Sequence, residues 1–119
     1  MASTPQSKFN VTLPTQDTAV PPNALVAGEL TQVDFEVTPA GGAKSVYSAA
    51  IDPAALPGAT LEVSFTAVSP VFAPVPGTSY TADAFVVDAS GQSQPSTSVS
   101  WTQVAAAAPP AAPTGFSVA

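Results

Sequence analysis

Residues 76–101 read PGTSYTADAFVVDASGQSQPSTSVSW, and this stretch decides the fold class. Its first run, 80–88, is rich in aromatic and β-branched residues and stops at Ala89-Ser90-Gly91, a turn signal. Its second run, 97–104, alternates Ser98 and Ser100 with Val99 and Trp101. A period of two belongs to a strand with one wet and one dry face. The stretch therefore predicts two antiparallel strands joined by a turn. The rest of the chain reads as the material that covers one face of this hairpin.

Working outward, residues 29–38 show the clearest alternation. Val33, Phe35 and Val37 fall on one face and Gln32, Asp34 and Glu36 on the other, as in a half-buried antiparallel strand. Pro39-Ala40-Gly41-Gly42 closes that strand. Residues 43–51 predict the next one, with Val46 and Tyr47 as its bulkiest members and its register open. Asp52-Pro53 begins a connection in which Asp52 is placed to cap a single turn. Residues 61–69 alternate again. Near the start, Phe9, Val11 and Leu13 alternate with Asn10 and Thr12 until Pro14, which has no N–H for a ladder. Residues 15–28, with Pro21-Pro22, read as a loop or irregular edge. Six or seven short strands separated by turn signals, with no helical period, predict an all-β antiparallel two-sheet sandwich of about seven strands. Residues 9–104 make up this sandwich. Residues 1–8 read as a flexible N-terminal arm, and residues 105–119 as an Ala/Pro-rich C-terminal arm, semi-rigid and extended.

Composition agrees. A chain of 119 residues suits one domain. A domain of this size buries about two-thirds of its unfolded surface and needs no disulfide or metal to fold, consistent with its lack of cysteine. The 14 prolines and the many Ala, Ser, Thr and Val residues argue for extended chain, while an apolar fraction of 45% suffices for a core. Lys8 and Lys44 are the only cations against eight carboxylates, for a net charge of −6. That balance opposes binding to nucleic acid, which needs phosphates neutralised by Lys and Arg, and to anionic membrane surfaces. No run of about 18 apolar residues predicts a membrane span, and MASTPQSKFN lacks the apolar segment of a secretory signal. A protein read in this way stays where it is made or leaves by lysis or another signal-independent route.

The residues from Pro76-Gly77-Thr78-Ser79-Tyr80 through Gly91 resemble the strand F region of a fibronectin type III domain. The resemblance implies that Tyr80 sits at a structural corner and that its hydroxyl bonds back to the chain a few residues upstream. Gln92-Ser93-Gln94-Pro95-Ser96 is similar to that family's turn into strand G, which implies that Val99 and Trp101 face inward. Where the family carries a tryptophan in strand B, Phe35 would fill the core position. Phe72 or Val75 would stand in for a leucine of the preceding loop. An immunoglobulin-like variant of the sandwich remains open. The tail, from Pro110 to Val118, is similar to the linker and first strand of a further domain of this kind. Read blandly it is a leftover; read sharply it is a strand that docks on the sheet edge of a neighbouring subunit.

The chemistry excluded is broad. Without His, Cys or Arg, the usual nucleophile–base pairs and zinc sites cannot be assembled, and no glycine-rich phosphate loop is present. No catalytic, cofactor-binding or metal site is predicted, and the chain reads as no enzyme. Asp34 and Glu36, about 7 Å apart along one strand face, read as a solvated charged face rather than a glycosidase pair. Asp83 and Asp88 fit no calcium loop, and Asp88 is expected to bond locally with Ser90 and Gly91. Asn10-Val11-Thr12 fits the glycosylation pattern by chance. Tyr80 and Trp101 are expected in the core. Phe72 is expected to be exposed in its proline-rich loop, forming a small contact patch with Val71 and Val75.

Partner-binding residues are thus expected to be Pro109, Pro110, Pro113, Phe116 and Val118 of the tail, together with Phe72. The function expected is that of a structural or interaction module: a virion-associated protein of the capsid-decoration or tail class, made in a host cytoplasm, that binds a lattice or itself. The alternative is a spacer or carbohydrate-associated module of a secreted bacterial enzyme or adhesin, at an extracellular or cell-surface location.

Overall fold

The computed structural model of the chain describes residues 4–93, 95–106 and 108–118. Its strands are numbered in chain order. The axis of the larger sheet is β5 (Ser79–Asp88), the longest strand. It pairs antiparallel with the whole of β2 (Gln32–Pro39), Val33 opposite Val86 and Phe35 opposite Ala84. On its other side β2 pairs with β3 (Ser45–Ala50). Beyond β5 lie two short strands placed end to end, β6 (Gly91–Gln92) and β7 (Val99–Thr102). The second sheet contains β1 (Lys8–Thr12) and β4 (Thr60–Ser64), again antiparallel. Seven strands in two antiparallel sheets make the sandwich that the alternation predicts.

Between the sheets lies one apolar cluster in which aromatic rings dominate. Phe9 of β1 stacks on Phe35 of β2 at 4.3 Å and tilts against Phe65 at 4.7 Å, joining the two sheets. Tyr80 stacks on Trp101, its cross-strand neighbour, at 5.3 Å. Contacts of this kind add about 0.5–1.5 kcal/mol each to the simple burial of the rings. Phe35 occupies the core, as expected of it.

Tyr80 also organises the chain before it. The Val75 N–H donates to the Tyr80 Oη at 2.8 Å, five residues upstream. Between them Pro76 and Gly77 make a turn in which the Thr78 N–H donates to the Val75 carbonyl. Gly77 sits at φ +83°, a conformation that a third turn residue of this kind needs and that side chains resist.

Several expectations are corrected. Phe72 is 4% exposed, not a surface aromatic, because its ring fills the space among Phe65, Tyr47 and Tyr80. The strand expected over 61–69 ends at Ser64 and passes into a 3-10 turn, Phe65–Ala67, which turns Phe65 into the core. Val99 is 56% exposed, because β7 is an edge strand that, among the described residues, pairs only with β5. Asp34 is 8% exposed although it lies on the outer face of β2. The central position of the strand shelters it beneath Gln32, Ser48 and Gln92. Finally, the N-terminal arm is tied down from Gln6. The Gln6 carbonyl accepts from Gln103 Nε2 at 2.9 Å, its Oε1 accepts from the Val104 N–H at 2.9 Å, and the Ser7 carbonyl accepts from the Phe65 N–H.

Serines mend the gap between β6 and β7. Pro95 has no N–H to donate. The Ser93 and Ser96 hydroxyls accept from the Val86 and Ala84 N–H groups at 3.0 and 2.8 Å, while the Ser93 and Ser96 N–H groups donate to the same two residues' carbonyls. The β5 backbone is thereby satisfied without a regular neighbouring strand.

Candidate interaction surface

The tail leaves the sandwich after Val104. Pro109, Pro110, Pro113, Phe116 and Val118 are all exposed and belong to no strand; Phe116 and Val118 are each 90% exposed. Phe72 does not join them, being buried with its ring edge-on to Tyr80. Its loop keeps Val71 and Val75 at the surface, as expected for those two.

The acidic residues are engaged by donors. Asp34 accepts from Gln32 Nε2 (2.6 Å), Ser48 Oγ (2.7 Å) and Gln92 Nε2 (3.1 Å). Glu36 pairs with Lys44 at 2.7 Å, and the hydrogen bond and charge of Glu36 hold the Lys44 ammonium above its ordinary pKa. Asp83 accepts from Ser98 Oγ, and Asp88 accepts from the Ser90 N–H at 2.7 Å as expected. Among the described residues, no group of three or more acidic, His or Cys side chains could hold a metal ion. None of their buried side-chain polar atoms lacks a partner. No described helix is long and apolar enough to cross a membrane.

Sequence reasoning missed a cleft of about 740 Å³ between the two sheets. Val11 and Thr12 of β1 line one lip, Ser93 and Ser96 the other, and Ala84 and Val86 turn their side chains into it. It opens where β6 and β7 are interrupted. A signal for it was present: a proline and several serines stand where a strand should continue, so the sheet is incomplete beside Val86. The remaining wall is the loop after β1, which is closed on itself. The Asp17 carboxylate accepts from the Asn23 N–H (2.8 Å), Asn23 Nδ2 (3.0 Å) and the Ala19 N–H (3.1 Å). These donors, the Asn23 N–H foremost, hold the carboxyl below its ordinary pKa. At the tip of this loop Val20 is 98% exposed.

Comparison of the chain with family models, with curated proteins and with solved structures returned no match.

Proposed function

We propose that this chain is a non-catalytic interaction module, a virion-associated protein of the capsid-decoration or tail class that attaches to a protein lattice through its Ala/Pro-rich C-terminal arm. The carrying observation is the exposure of Phe116 and Val118 at the end of an uncharged arm, beside a sandwich that already buries its own core. Burying each of these side chains against a partner is worth roughly 1.5–3 kcal/mol. The engagement of Asp34, Glu36, Asp83 and Asp88 by neighbouring donors supports a binding role over a catalytic one. The bond between Val75 and Tyr80 supports the fibronectin type III resemblance of the corner. Domains of that class decorate phage capsids and tails, an analogy at the level of fold.

The test is co-sedimentation with virus particles purified from the source that encodes the chain. Wild type is expected to travel with the particles, and a full-length Phe116→Asp, Val118→Asp variant to stay in the supernatant. Equal association of both, or none of either, overturns the reading.

A further inference from the structure

The smaller sheet has an open edge beside the cleft. Among the described residues, β1 pairs with β4 alone. The Phe65 N–H donates to the Ser7 carbonyl and the Leu13 N–H to the Ala59 carbonyl, both at 2.9 Å, so residues 7, 9, 11 and 13 direct their backbone groups at β4 and its continuation. The alternation of an antiparallel ladder then turns those of Lys8, Asn10 and Thr12 outward, where no described residue bonds to them. Val11 and Thr12 on this edge also line the cleft, with the half-buried apolar side chains of Leu25, Ala84 and Val86 beneath. An unpaired edge next to an apolar gap is the template for an added strand.

The tail carries a matching strand. Phe116-Ser117-Val118 repeats the alternation of Phe9-Asn10-Val11 in β1, and in both places a proline lies shortly upstream, Pro113 and Pro5. We infer that residues 113–118 of one copy add as a strand to the open β1 edge of a second copy, with Phe116 and Val118 entering the cleft. The inference rests on reading the tail as the docking arm and deepens it by naming, as the receiving surface, a copy of this chain already seated on the lattice. Residues 105–112 span about 25 Å if extended like polyproline. Pro109 and Pro110 stiffen this arm against folding back, and the molecule measures 80 × 35 × 23 Å. The receiving edge and the donated strand are different surfaces, so the contact is head-to-tail and builds open chains or rings. Each copy carries −6, whereas the tail after Val104 has no charged side chain. Added salt therefore strengthens assembly by screening repulsion between copies while leaving the apolar docking intact.

Because the chain has no cysteine, disulfide trapping has no background. In an added strand whose Phe116 and Val118 point inward, Ser117 points outward on the same face as Lys8, Asn10 and Thr12. Full-length Ser117→Cys is mixed under mild oxidation with Lys8→Cys, Asn10→Cys or Thr12→Cys, which together cover the neighbouring registers. At least one pair is expected to give a cross-linked heterodimer at ten-fold or more the yield obtained with Val46→Cys, an exposed position on the larger sheet. Adding Phe116→Asp and Val118→Asp to the Ser117→Cys copy is expected to remove the excess. Circular dichroism of that copy is expected to stay unchanged, since none of the described tail residues joins the core. Yields no higher than the Val46→Cys control in all three registers, or an excess that survives the Asp substitutions, overturn the inference. So does cross-linking confined to one chain when Ser117→Cys and Asn10→Cys are combined in a single copy. Particle binding that persists without cross-linking sinks self-donation alone, and cross-linking without particle binding sinks the virion reading alone.

Discussion

Changing Tyr80 to Phe removes a single oxygen atom and leaves the ring where it is. The packing of that ring, stacked on Trp101 at 5.3 Å and edge-on to Phe72 at 5.5 Å, should survive. What is lost is one hydrogen bond, from the Val75 N–H at 2.8 Å. A typical bond of this kind contributes about 0.5–1.5 kcal/mol net, and a donor left buried without a partner costs about 1–3 kcal/mol. Val75 is 59% exposed and the bond is only partly buried, so the larger penalty does not apply in full. The expected destabilisation is about 1 kcal/mol, equivalent to about 4 °C in Tm for a chain of this length. Urea unfolding followed by Trp101 fluorescence measures it directly. The midpoint is expected to fall with no change in slope, since the same surface is exposed on unfolding. An unchanged midpoint would show that the hydroxyl does not hold the 75–80 turn. A loss above about 3 kcal/mol would mean that the ring had moved and that the corner is held by packing instead.

Two further outcomes follow from the polar contacts. Asp34→Asn leaves one acceptor oxygen where three donors now converge and sets an amide N–H group against Gln32, Ser48 or Gln92; chemical denaturation is expected to show a loss of about 2 kcal/mol, and a change under 0.5 kcal/mol would refute the network. The Asp17 carboxyl has a lower pKa folded than unfolded, so its contribution to closing the loop is present above the ordinary Asp value near 4 and is lost as pH falls through the lower, folded value. Amide exchange at Ala19 and Asn23, corrected for intrinsic rates, is expected to lose its protection over that acid window before the β5 amides do, and an Asp17→Asn variant is expected to show little protection at any pH.

Much of the fold was legible from residue order alone. The period of two over 32–37, the aromatic and β-branched run over 80–88, the turns at Gly41, Gly77 and Gly91, and the tyrosine after Pro-Gly-Thr-Ser all reappear in the sandwich. These signals are local: alternation needs only a neighbour two residues away, and a glycine turn only its own φ. The exposure of the tail residues was legible for the same reason, because an uncharged Ala/Pro run has no apolar period with which to build a core.

Burial was decided elsewhere. Phe72 stands among prolines with no alternation around it, and its ring is buried because Phe65, Tyr47 and Tyr80 from three separate segments meet there. Asp34 has the pattern of a wet-face residue and is sheltered only because β2 became the inner strand, with Ser48 and Gln92 brought beside it from 14 and 58 residues away. Val99 has the pattern of a core residue and lies open because β7 became an edge. The cleft and the free β1 edge likewise depend on which strands pair and where a sheet stops. Residue order determined the strands, the turns and the corner, whose physics is local. Tertiary structure decided which faces were covered and which edge was left open, because burial depends on every neighbouring segment at once.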